Sequence, residues 1–353
     1  MMSSDRRFNP EMMTLARQAR ELTQEQLARA LGVSQARISK IEHGLLPADD
    51  LVDALAQQLD YPKEFFFQEG HNYGLPVRHH RKRASLGQRD LDRIHATINI
   101  RALQLRELLK SAAVDPELEL RRIDVDTFDG AVEEIAQAVR SFWRLPRGPI
   151  PNMMALIERA GVVLIPMDFG SPEIDAVAQV IPELPPMIFF STHAPTDRLR
   201  FTLAHELGHL IMHALPTPQM EDEANRFAAE FLMPAADIRH QLTRVTLPVL
   251  AMLKAVWKVS MAALLERAKR LETVTPRQYI RFRSEFSQRG LLRREPAELD
   301  LPPERPALLQ AIVAFHVQQL GYGPRELAAI VRDHAHRVRA TYLGQIGGLQ
   351  LVS

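Results

Sequence analysis

Residues 199–213 read LRFTLAHELGHLIMH, and residues 217–234, just beyond them, read TPQMEDEANRFAAEFLMP. The first run holds His-Glu-x-x-His at His205–His209. Histidines four apart share one face of a helix, so both imidazoles can reach a single tetrahedral ion. Glu206 stands about 100° further round, beside the ion but not among its ligands. That is where metal-assisted hydrolysis needs a general base, to take a proton from the attacking water and pass it to the leaving amine. The spacing alone is a weak signal, because a surface helix can carry two histidines. Its setting is stronger. Leu203, Leu207, Leu210 and Ile211 give the helix a buried side, and Gly208 removes side-chain bulk beside the site.

The second run supplies candidates for a third ligand. Thr217 is a suitable N-cap and Pro218 a suitable first residue for a helix that Pro234 stops. So short a turn predicts an antiparallel helical hairpin, packed through Ala224, Phe227, Ala228, Phe231 and Leu232. Glu221 lies about 56° from the centre of that face and Glu223 about 104° away on the other side. Glu221 is therefore preferred as ligand, with Glu223 left as the alternative. All three acids at 221–223 could also be plain helix-start charges favoured by the macrodipole. Asn225, one turn on, could hold a ligand's outer ring nitrogen or the carboxylate. His213 extends the histidine stripe, but it stands about 12 Å along the axis from His205, too far to share one ion. It is expected at the helix end, near the last carbonyls or at the lip of a cleft.

Working outward, GVVLIPMDF (161–169), DAVAQVI (175–181) and PMIFFS (186–191) are short apolar runs bounded by Gly and Pro, as strands are. Residues 91–145, 237–290 and 305–343 have helical periodicity. The run LPVLAMLKAVWKVSMAALL (247–265) carries Lys254 and Lys258, which favours a buried helix over a membrane span. MMSSDRRFNP at the start has no apolar core like that of a signal peptide. The chain has 353 residues and no cysteine. Disulfides, thiolate metal sites and cysteine nucleophiles are thereby excluded, and any metal must be held by His, Asp or Glu. The absence of cysteine also suits a reducing cytoplasm.

Near the N-terminus, residues 15–44 read LARQARELTQEQLARALGVSQARISKIEHG. Thr23 can cap one helix and Ser34 the next, Gly32 permits the turn between them, and Gly44 ends the second. Leu27, Leu31, Ile38 and Ile41 form the buried side, with Ala28 small where two helices must approach. The outward residues of the second helix are Gln35, Ala36, Arg37, Ser39 and Lys40. Gln can read adenine and Arg guanine in the major groove. Charge gives divided support. Residues 1–60 hold seven Lys/Arg against nine Asp/Glu, whereas residues 61–110 hold ten against five. The basic run RHHRKR (78–83) could touch phosphates or be a solvated linker.

RFTLAHELGHLIMH followed by EANRFAAEFLMP resembles the ImmA/IrrE-type zinc metallopeptidases over about residues 150–235. The resemblance implies zinc on His205, His209 and Glu221, with Glu206 as catalytic base. It also implies a protein substrate, since family members are associated with cutting repressor-like regulators. Residues 11–66 are similar to the Cro/repressor (XRE) type of helix-turn-helix, in which a residue at the position of Gln24 usually contacts phosphate.

The expected protein is mainly α with a small β-sheet. An all-α DNA-binding domain (1–67) is followed by a basic linker (68–93), then an α+β zincin-like domain (94–290, core 150–235). A helical region of unassigned role (291–353) comes last. The expected function is a cytoplasmic DNA-binding transcription regulator, dimeric on a palindromic operator and without a membrane partner. It carries a zinc endopeptidase acting on a repressor or antitoxin-like protein. The alternative is an autoregulatory repressor whose metal site is structural or sensory.

Overall fold

The structure is a computed structural model and describes residues 7–74 and 86–344. The RHHRKR run lies outside the described residues. The chain divides into two compact units: one made of Met1–Val114 with Leu308–Ser353, the other of Asp115–Ala307.

The first unit begins with four short helices: α1 (Pro10–Ala19), α2 (Gln24–Ala30), α3 (Gln35–Glu42) and α4 (Val52–Leu59), then a 3-10 turn at Lys63–Phe67. The expected signals are used, except that Leu31 is only partly buried. Thr23 makes a reciprocal capping box with Gln26, and the Ser34 side chain accepts from the Arg37 amide. Gly32 and Gly44 take φ of +67° and +70°, where a side chain would be strained. Leu27, Ile38 and Ile41 are fully buried with Met12, Met13 and Leu15 from α1.

Helix α5 (Gln88–Leu109) corrects the expected boundaries. Composition assigns its start to the linker and most of it to the α+β domain, yet Ala96, Ile100 and Leu103 complete the core of the helix-turn-helix unit. Residues 308–344 return to the same unit. His316 Nε2 lies 2.9 Å from the Leu108 carbonyl, and Gln104 donates to Asp333 at 3.1 Å. Arg337 donates to Asp60 at 2.7 Å. Helical periodicity reveals which face is buried but not against what, so the sequence could not show this return.

In the second unit, α6 (Val132–Phe142) and α7 (Met153–Arg159) precede strands β1 (Val163–Met167), β2 (Ala176–Gln179) and β3 (Met187–Ser191). The sheet order is β1-β3-β2. β1 and β3 run parallel with Val163 opposite Met187, while β2 runs antiparallel to β3 with Ala178 opposite Ile188. Helix α8 (Thr196–Met212) packs on the sheet, and α9 (Met220–Leu232) packs back along α8. A short α10 (Ala235–Ile238) leads to α11 (Leu247–Trp257), α12 (Met261–Arg270) and α13 (Pro276–Gln288).

Two tethers carry this unit beyond the expected limit at residue 290. Glu304 accepts from the amides of Met153 and Met154 at the start of α7. Glu295 accepts from Met261 N at 2.8 Å and from Lys254 Nζ at 2.6 Å. Lys254 also pairs with Asp197 in the first turn of α8. No single helix among the described residues is long and apolar enough to cross a membrane. The apolar run at 247–265 forms two helices bent by 102° at the break between Trp257 and Met261, with Lys254 buried in the first.

Candidate metal centre

Helix α8 exists because one side of it is core: Leu203, Leu207, Leu210 and Ile211 are at most 2% exposed. It ends where His213 turns to extended geometry (φ −111°, ψ 104°), while the His213 amide still donates to the His209 carbonyl. Helix α9 starts two residues later than expected. Gln219 is the cap and makes no side-chain bond, so Thr217 is not the cap. A missing cap costs roughly 1 kcal/mol. Burying Phe227, Phe231 and Leu232, all fully enclosed, contributes about 1.5–3 kcal/mol each and outweighs it. The two helices touch at Gly208, where an added Cβ would lie 3.0 Å from Phe227 Cδ1.

This hairpin brings His205, His209 and Glu221 together. The Nε2 atoms of the histidines are 3.0 Å apart. The Glu221 carboxylate lies 3.4 Å from His209 Nε2 and 3.6 Å from His205 Nε2. Three donors held ~2.0–2.1 Å from a common tetrahedral centre would stand roughly 3.3 Å apart, so the separations suit one ion. Glu221 Oε1 is buried and has no hydrogen-bond partner beyond the two facing rings, as suits a ligand oxygen for a cation.

Electrostatics agree. Burial, partly opposed by Glu221, lowers the His209 pKa from 6.5 to about 4, which keeps the ring neutral. Burial alone would raise the Glu221 carboxyl. The hydrogen-bonding rings of His205 and His209 outweigh that and hold it well below the usual carboxylate range. A neutral imidazole and an ionised carboxylate are the forms that bind metal. Two nitrogens and an oxygen, in a chain without thiols, suit zinc.

The surrounding residues are equally specific. Asn225 Oδ1 lies 3.1 Å from His205 Nδ1. Glu206, 2% exposed, accepts from the Ala178 amide at 2.9 Å. β2 pairs with β3 along one edge, and alternate amides of an antiparallel strand point away from the partner, here towards α8. Glu223 is not among the three converging groups. His213 stands at the helix end, as expected, but its ring is buried, with Nδ1 3.0 Å from His209 Nδ1 and Nε2 3.1 Å from Glu223 Oε2. The spacing of four between His209 and His213 was the available signal for that contact.

On the helix-turn-helix, Gln35, Ala36 and Lys40 are exposed on α3, and Arg37 and Ser39 are half-buried. Arg37 is engaged by Asp50 through contacts of 2.6 and 2.7 Å. The hydrogen bond and charge of Arg37 lower the Asp50 pKa. Gln24 donates to Glu42 at 2.7 Å and accepts from Gln35 at 2.7 Å, while Arg17 forks onto Glu42. Glu42 thus anchors Gln24 and, through it, Gln35. No sequence spacing pointed to that chain.

Residues 157–269 match a peptidase family described as the IrrE N-terminal-like domain, and residues 15–66 match a family described as helix-turn-helix. The chain joins a helix-turn-helix domain to an IrrE N-terminal-like domain. No curated protein matches the chain. The IrrE-like match begins in α7 and ends in α12, so it contains the sheet, both helices of the candidate centre and every residue just described around it. The helix-turn-helix match covers α2 and α3 with their caps and ends within the 3-10 turn.

Proposed function

We propose that this chain is a cytoplasmic transcription regulator that binds operator DNA and carries a zinc-dependent endopeptidase. Its substrate is a repressor or antitoxin-like protein. In this reading, residues up to about 114 together with those from 308 form the DNA-binding unit, and residues 115–307 are the peptidase. DNA is engaged by a dimer on a palindrome, with Gln35, Ala36, Arg37, Ser39 and Lys40 facing the bases and Gln24 at the backbone.

The observation that carries the enzymatic reading is the convergence of His205, His209 and Glu221 beside a separate, positioned carboxylate. Those three residues would hold zinc, which supplies Lewis-acid polarisation of a peptide carbonyl and of a water. Glu206 is the group that takes the water's proton and returns it to the departing amine, so proton uptake and release balance within one turnover. The Ala178 amide holds the carboxylate in place for both steps. His205 is oriented by Asn225.

One observation favours the second reading, a regulator whose metal site senses or stabilises without turnover: the Glu206 carboxylate is almost wholly enclosed. Glu206→Gln separates the two. The peptidase reading expects that variant to retain zinc and lose cleavage of a co-expressed partner, with regulation changed accordingly. Equal regulation by wild type and Glu206→Gln would instead establish the sensory role. Metal content should fall in His205→Ala and Glu221→Ala, and zinc equal to wild type in both would remove the site assignment.

A further inference from the structure

We infer that His213 and Glu223 are positioning residues of the metal centre: together they set the tautomer of His209 and aim its Nε2 at the ion. The inference rests on the metal-site reading above and concerns residues outside its ligand set.

With His213 neutral and His209 offering Nε2 to the ion, these contacts fit one pattern of protons. His209 presents Nε2 to His205 and Glu221, so as a neutral ligand it must carry its proton on Nδ1. That N–H points at His213 Nδ1, 3.0 Å away, which must then be the acceptor. The His213 proton is left on Nε2, where it donates to Glu223 Oε2 at 3.1 Å. The opposite assignment fails at its outer end. With His209 protonated on Nε2, a neutral His213 would have to donate from Nδ1 and turn a bare Nε2 towards a carboxylate, which can only accept. The Glu223 carboxylate therefore selects, through one intervening ring, the form of His209 that can bind metal.

Burial makes the selection matter. His209 and His213 are 0% and 2% exposed, so a mismatched pair of acceptors would have no water to relieve it. The three acids that open α9 also point three ways. Glu221 faces the imidazoles, Asp222 pairs with Arg270 at 3.1 Å, and Glu223 reaches His213. A general preference for negative charge at a helix start accounts for none of those directions. The chain break at His213 contributes too. Leaving the helix there lets the ring fold back, its centroid 5.0 Å from that of His209.

The test uses the full chain, stripped of metal and titrated with zinc against a chromophoric chelator, together with visible spectra of the cobalt-loaded protein and melting of the metal-free form. Zinc affinity should fall about 10–100-fold in His213→Leu and less in Glu223→Gln, whose amide oxygen can still accept. The cobalt bands should shift in both, while metal-free melting of Glu223→Gln stays near wild type. Asp222→Asn should match wild type throughout. Wild-type affinity and an unshifted cobalt spectrum in His213→Leu and Glu223→Gln would overturn the inference. So would an equal loss in Asp222→Asn. Failure of the wild type itself to take up zinc would remove the underlying site, an outcome distinct from normal uptake with silent variants.

Discussion

Replacing Gly208 by alanine tests whether the α8–α9 contact sets the geometry of the candidate centre. The new methyl carbon would stand 3.0 Å from Phe227 Cδ1 and 3.2 Å from its Cγ, inside the ~3.5–4.0 Å at which carbon atoms attract. Phe227 is fully buried and stacked on Phe231 at 5.4 Å, so the ring has nowhere to swing. Helix α9 must retreat by about half an ångström to restore ordinary contact. Alanine favours the helix by ~1 kcal/mol over glycine, whereas overpacking costs ~1–3 kcal/mol. The metal-free protein should therefore lose about 0–2 kcal/mol. Glu221 sits on the moving helix, and ligand distances tolerate only about ±0.2 Å. Zinc affinity should fall roughly tenfold, or ~1.4 kcal/mol. Urea unfolding of the metal-free chain and zinc competition report the two effects separately. Adding Phe227→Leu should relieve the clash and reveal a coupling of at least ~0.5 kcal/mol. A Gly208→Ala protein that is ~1 kcal/mol more stable and binds zinc normally would show that the helices do not press together there.

Other outcomes are expected elsewhere. His209 has its pKa lowered from 6.5 to about 4 by burial, so between those values the unfolded chain binds a proton that the folded metal-free chain does not. Stability is thus complete above pH 6.5 and falls as pH drops. The loss between pH 7.5 and 5 should be about 2 kcal/mol in chelator, and His209→Gln should flatten that part of the curve in urea melts. Lys254→Met would leave the carboxylates of Asp197 and Glu295 buried without their cation, costing about 3–5 kcal/mol in denaturant unfolding. Arg37→Ala should weaken binding to a selected duplex by about 1–3 kcal/mol at the base it reads. Asp50→Asn, which frees Arg37, should tighten binding measured by fluorescence anisotropy at low salt; weaker binding would mean that the pair holds α3 in its reading position.

Local features were legible in the sequence. Caps at Thr23 and Ser34, the glycines at 32 and 44, the three apolar strands and the His-Glu-x-x-His helix all follow from spacing and backbone preference. So does the turning of Glu221, and not Glu223, towards the two imidazoles, because the angle round α9 depends only on position relative to its apolar face. What escaped was partner choice. Nothing in the periodicity of Gln88–Leu109 says that its apolar side meets α1, nor that residues 308–344 return to it. The role of His213 was hidden for a related reason. The stripe of three histidines is too long for a shared ion, and spacing alone does not reveal the contact between the rings of His209 and His213.

The helix-turn-helix unit is interrupted: residues 7–74 and 88–109 meet residues 308–344 only after the whole of 115–307 has intervened. On the ribosome, at ~5–20 residues per second, roughly 10–50 s separate the emergence of Gln104 from that of its hydrogen-bond partners Asp333 and Tyr342. During that interval the side of α5 that they cover stays wet, and the early helices must persist without it. A chain severed within 115–307 would still have Arg337 on Asp60 and His316 on the Leu108 carbonyl. The fragments could therefore remain clasped, and a nick there need not set the DNA-reading helices free.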